Sequence, residues 1–214
     1  MIIAHRIVRE AAARVAGAAD EALKALGEGR VEQEPAFTDR MLGAIEHSMR
    51  DFRSKSGRVQ WTAKTLTDHG RNAQERRFGA DFAGVLSIDL RGFRVRKGFL
   101  AQAKLIEPRA SVPQRDFERM RDQCNLMLKY TPDSYLFLYA REGIRVVPAI
   151  SVVSAAHPCN PHALYARSIA RFYEEHFESF IGDRRLNEAT PQMLDELKRE
   201  ADVRAIQCLE ARGE

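Results

Sequence analysis

The sequence predicts an α/β fold: a mixed β-sheet flanked by helices, with further helices added at both ends. Three observations carry that prediction. Apolar residues recur at helical spacing over 35–52 and 116–130. Stretches at 59–67, 81–90, 93–105 and 135–140 alternate or run apolar over strand lengths. The resulting order, helix, strand, strand, strand, helix, strand, combines a hairpin with a crossover connection and so implies a sheet of mixed direction. With 214 residues, the chain suits one domain with one sizeable core, 1–214.

The elements follow in chain order. Residues 1–27 form an Ala-rich helix ended near Gly27 and Gly29. The second helix, from Pro35 to Phe52, repeats Phe37, Met41, Ile45, Met49 and Phe52 on one face, with Pro35 in its first turn. "VQWTAKTLT" alternates Val59, Trp61, Ala63 and Thr65 as a strand, and the polar, basic 68–79 reads as a loop or short helix. Two strands, 81–90 and 93–105, follow around Arg91-Gly92. "DFERMRDQCNLMLKY" is amphipathic through Phe117, Met120, Cys124, Met127 and Leu128. "YLFLYA" is a strand buried on both faces, and "IRVVPAISVV" adds an edge strand because Pro148 is unsuited to a central one. The rest is expected to be helical, about 162–181 and 191–211, the latter capped by Thr190 with Pro191 in its first turn.

Composition narrows the class. No apolar run has the length of a membrane span, and the charge-broken N-terminus lacks a signal-peptide core, which predicts a cytoplasmic protein that does not enter a membrane. Three separated cysteines give no disulfide framework and agree with a reducing compartment. "HPCNPH" at 157–162 matches no zinc-ligand spacing and reads as a loop. The charge is uneven: residues 50–121 hold 17 Lys/Arg against 8 Asp/Glu, whereas the remainder holds 17 against 22. A basic middle between acidic ends suits either an anionic partner or a solvated charged face.

The hairpin raises the chemical question, because a strand interior rarely carries a carboxylate, an amide and an amine together. With the turn at Arg91-Gly92, paired positions sum to 183 and Asp81 lies opposite Gln102, with Lys104 two residues on and on the same face. A turn at Lys97-Gly98 or a bulge would shift that register. At 100° per residue Glu34 falls at the centre of the apolar arc of the second helix, where a carboxylate needs a partner. Singly, each residue has an ordinary explanation: a turn acid, a satisfied amide, a snorkelling lysine. Asp89, beside the turn, is a rival acid.

An acid at a strand start, Gln-x-Lys on the next strand and the surrounding α-β-β-β-α-β order together resemble the PD-(D/E)XK nuclease superfamily. The match is to its restriction-endonuclease-like branch, in which Gln replaces the acid of the (D/E)-x-K element. The resemblance covers about 32–150, with 1–27 and 160–214 as helical extensions outside it. It implies a Mg²⁺- or Mn²⁺-dependent phosphodiesterase, a deoxyribonuclease cutting DNA internally. Asp81, Gln102 and Glu34 would be metal ligands and Lys104 would position the attacking water and offset transition-state charge. Arg71, Arg76, Arg77, Arg94, Arg96 and Lys97 are expected at the phosphate backbone, with little sequence specificity. An unrestrained nuclease would be toxic, so a regulatory partner, a homodimer or an anti-phage defence trigger is expected. Because Gln102 is neutral, a catalytically silent DNA-binding or assembly subunit stands as the alternative.

Overall fold

A computed structural model describes residues 2–50, 52, 55, 57–66, 78–188, 190 and 192–197. A six-stranded sheet runs in sequence order, β1 (Gly57–Thr65), β2 (Phe82–Leu90), β3 (Phe93–Leu105), β4 (Ser134–Ala140), β5 (Gly143–Pro148) and β6 (Arg167–Ser168). Every neighbouring pair is antiparallel except β3 and β4, which are parallel because α3 (Gln114–Leu128) returns the chain between them. The sheet is therefore mixed and helix-flanked, as the sequence predicts.

Helices cover both faces. α1 (Ile2–Gly27), α2 (Glu34–Arg50) and α5 (Ile169–Phe177) lie on one, α3 and the short α4 (Ala149–Val153) on the other. On the first face Phe37, Met41 and Ile45 of α2 and Phe172 and Phe177 of α5 close over Phe82, Phe99 and Phe137. Phe99 is the hub: it stacks on Phe137 at 6.1 Å and meets Phe172 edge-on at 5.0 Å. On the second face Phe117, Met120, Cys124 and Met127 of α3 cover Ala83, Leu100, Leu136 and Leu138. "YLFLYA" is buried along its whole length because it faces helices on both sides.

The β2–β3 register is the one in which paired positions sum to 183, Phe82 with Ala101 through Leu90 with Phe93. The two-residue turn needs positive φ, and Gly92 supplies it at 85°.

Three elements differ from expectation. β5 stops at Pro148, whose missing N–H ends pairing, and 149–153 turn into α4; the two-residue β6 then lies outside β5. The helix expected at 162–181 is shorter: Pro161–Ala163 is a 3₁₀ turn, and α5 begins only after Ser168, whose hydroxyl accepts from Arg171 N–H. Helix 192–197 is capped as expected, Thr190 Oγ1 accepting from Met193 N–H. Residues 67–77, read from the sequence as part of a loop or short helix, and the chain beyond Leu197 fall outside the described residues.

Candidate active site

The cleft lies at one end of the sheet, where β1 ends, β2 begins and the parallel strands β3 and β4 present their carboxyl ends. In open α/β sheets this is the end at which ligands bind. Its volume is about 740 Å³. The walls come from the start of α2, the β3–α3 connection and the first turns of α3.

Asp81 sits one residue before β2. Its N–H donates to Ala101 O (2.8 Å) and its carbonyl accepts from Leu66 N–H (2.7 Å), so the backbone is fixed between β1 and β3. Gly79, at φ 73°, turns the chain into this position, where an added Cβ would stand 2.5 Å from Gln123 O of α3. Asp81 Oδ2 accepts from Gln102 Nε2 (2.6 Å) and Ala103 N–H (2.7 Å). Gln102 is fully buried behind the cleft, and its Oε1 has no hydrogen-bond partner.

Lys104 and Glu34 complete the group from opposite layers. Lys104 Nζ lies 3.0 Å from Glu34 Oε1, and Glu34 Oε2 accepts from Leu105 N–H at 2.8 Å. The first residue of α2 thereby ties down the end of β3. Side-chain exposures of 22% and 27% leave this pair partly shielded from solvent. Thr38, one turn along α2, donates to Glu34 O (3.0 Å) and bonds Tyr139 Oη (3.1 Å), and burial pushes that phenol well up. Cys124, close enough to Lys104 to feel its charge, is a structural thiol pushed up to about 12 by burial.

Charge in the cleft is predominantly negative. Glu34, Asp39, Asp81, Glu107 and Asp116 face Lys104 and Arg119. An anionic substrate entering such a cleft needs a compensating cation. The chain matches no family model and no curated protein sequence. Its function is therefore read from the site's own chemistry.

Asp81, Gln102, Lys104 and Glu34, singled out in the sequence, meet here, but with specific partners: Glu34 is the counter-ion of Lys104, and Gln102 turns its amide nitrogen, not its oxygen, toward Asp81. Among the described residues no three His, Cys, Asp or Glu side chains are grouped as a metal cage. The donors nevertheless fit a hard divalent cation such as Mg²⁺, which takes oxygen ligands from one or two carboxylates and leaves the rest to water and phosphate. The orphaned Gln102 Oε1 fits as well. Rotating the amide by half a turn exchanges oxygen and nitrogen, and next to Asp81 Oδ2 the oxygen is accommodated by a cation or a proton between them.

The expected phosphate contacts divide. Arg94 and Arg96 are exposed, Arg94 paired with Asp89 at 2.7 Å. Lys97 must be corrected. It has the opposite strand parity and points under α5, 1% exposed, with Nζ donating to Ile181 O, so no phosphate reaches it. Burial lowers its pKa to about 8. Arg71, Arg76 and Arg77 lie outside the described residues.

One contributor had no sequence signal. Asn160 Nδ2 reaches Glu107 O (3.0 Å), Pro108 O (3.2 Å) and Ala110 O (2.9 Å), and the His162 ring bonds Ile106 O at 2.8 Å. "HPCNPH" is thus a loop that pins the rim of the cleft. Its prolines signal a turn, but nothing in the sequence says which carbonyls it holds.

Proposed function

We propose that the chain is a metal-dependent DNA endonuclease of the PD-(D/E)XK type, hydrolysing phosphodiester bonds. The observation that carries this is the convergence of Asp81, Lys104 and Glu34 on one cleft, with Gln102 bonded to Asp81 directly behind it. Mg²⁺ or Mn²⁺, when bound, supplies Lewis-acid polarisation of the phosphodiester and an acidified water. Asp81 and Glu34 would hold it through carboxylate oxygens, with Gln102 offering its amide oxygen. Ala103 N–H and the β1 and β3 backbones keep Asp81 oriented without the cation. Lys104 places its Nζ in a predominantly acidic cleft. There it orients the attacking water and stabilises negative charge building on the phosphoryl oxygens. Glu34 holds that Nζ in place.

The test is plasmid cleavage with Mg²⁺ or Mn²⁺, wild type beside Asp81→Ala and Lys104→Ala, with EDTA as control. Nicking or linearisation that needs metal and disappears in both variants, while the fold and DNA binding persist, is the expected result. Absence of cleavage with either metal overturns the proposal. The second reading, a silent nuclease-fold subunit that binds DNA or assembles with a partner, is favoured by the same Gln102, whose neutral amide already satisfies Asp81. Further parts of the proposal are a cytoplasmic location, low sequence specificity and restraint by a regulatory partner, as in anti-phage defence. Cutting both strands with one site per chain calls for a second copy. Purified protein that degrades host DNA freely at physiological Mg²⁺ and salt removes the restraint.

A further inference from the structure

The face of the sheet that carries Gln102 and Lys104 is covered at Gly98 and Leu100 by the 183–186 segment and α3, and is open to solvent beyond them, at the hairpin end and along β1. Cross-strand partners share a face, so the pairing assigns its rows. Arg58, Asp89 and Arg94 form the row nearest the hairpin turn. Gln60, Ser87 and Arg96 form the next, and Thr62 and Lys64 extend it along β1 toward the site. Seven of these side chains are exposed and Ser87 is half-buried. The opposite parity, Val59, Trp61, Ile88 and Val95, is buried under the helices. The chain at 183–186 bounds the surface, pairing with Gly98 and setting Leu186 above it. Lys64 pairs with Ala83, two residues from Asp81, so β1 carries the surface to the cleft.

We infer that this face of β1, β2 and β3 is a docking platform for the sugar–phosphate backbone of duplex DNA, with Arg58, Arg96 and Lys64 as its principal contacts. The platform bears four cations and one anion, Asp89. Its remaining groups, Gln60, Thr62 and Ser87, are of the types that contact phosphate and sugar. An anionic lipid surface fits less well, because no apolar side chain stands among the eight to enter a bilayer. Arg94 to Gln102 spans about 26 Å along β3. That is roughly eight base pairs at about 3.4 Å each, so a duplex on the platform lies within reach of the cleft. The inference deepens the nuclease proposal and rests on it for the substrate, but the binding it describes is measured without cleavage.

The experiment is fluorescence anisotropy of a labelled 20-base-pair duplex, titrated with the full chain in EDTA at several salt concentrations. Arg58→Gln/Arg96→Gln is expected to bind at least about tenfold more weakly. Its slope of log K against log salt should be shallower by about 2, since each neutralised phosphate contributes about 0.9. Asp89→Asn removes the one anion and releases Arg94, and should bind several-fold more tightly. Every arm is run in EDTA and reads binding alone, so a failed nuclease proposal leaves this result intact. All these side chains are at the surface, and an unchanged thermal midpoint shows that the fold is retained. Equal affinity of wild type and the double variant overturns the platform. So does binding to anionic vesicles, but not to the duplex, that the double variant loses.

Discussion

At the scale of single residues, two buried polar groups decide how the site and its support behave. Gln102 is held between roles, its nitrogen committed to Asp81 and its oxygen orphaned. Gln102→Glu replaces a 2.6 Å hydrogen bond by two facing carboxylates, an uncompensated buried charge on the scale of roughly 3 kcal/mol. The metal-free thermal midpoint should fall and recover with Mg²⁺, and cleavage should change its metal dependence. A variant whose stability and activity ignore Mg²⁺ rules out a cation beside position 102. Lys97 is the other group. Its ammonium keeps a proton only to about 8 in the folded protein but to 10.5 in the unfolded chain. Between those values the unfolded state binds more protons, so stability rises with pH through that window; below it the full cost is present. That cost is about 3 kcal/mol. Lys97→Met should flatten this rise in urea-melt stability and stabilise the protein at pH 7 by roughly 1–3 kcal/mol. Ile181 O keeps a second donor, the neutral His176 Nδ1, whose imidazole burial holds down at about 3.

At the scale of elements, the cleft depends on connections more than on strands. Gly79 adopts φ 73° with its Cα against α3, so Gly79→Ala brings both left-handed strain and a clash with Gln123 O. A loss of about 2–3 kcal/mol in thermal or urea unfolding is expected, with activity reduced in step because Asp81 is displaced. Asn160→Ala removes three bonds to the rim and should raise hydrogen exchange at 107–110 with a smaller global loss, about 1 kcal/mol. Much of this level was legible. Alternation in 59–65, the Arg91-Gly92 turn and the apolar repeat of α2 gave strands, register and helix within a few residues, because period and turn chemistry are local signals. Three features were not legible. Lys97 looks like any basic residue until α5 is known to cover its side of β3. The partner of Glu34 is a lysine 70 residues away, and the carbonyls held by Asn160 are long-range too. Strand parity was the one signal that could have separated Lys97 from Arg94 and Arg96.

At the scale of the whole molecule, charge of opposite sign gathers on two neighbouring surfaces. The cleft is acidic, while the sheet face leading to it is basic. For the proposed DNA substrate, such a division would hold the polyanion by its flanks and admit its backbone to the cleft only with a counter-charge. Removing divalent metal with EDTA should therefore abolish cleavage while leaving duplex affinity nearly unchanged, whereas raising salt should weaken affinity first. The order of the strands has a different consequence. Each strand pairs with its neighbour in the chain, so the sheet can zip progressively as it leaves the ribosome. α1 cannot finish in that order: it is synthesised before the strands, yet its buried face rests on α2 and also on α5, which begins at Ile169. Full burial of α1 thus waits for α5, and a nascent chain halted before Ile169 leaves part of the apolar face of α1 exposed for chaperones to find.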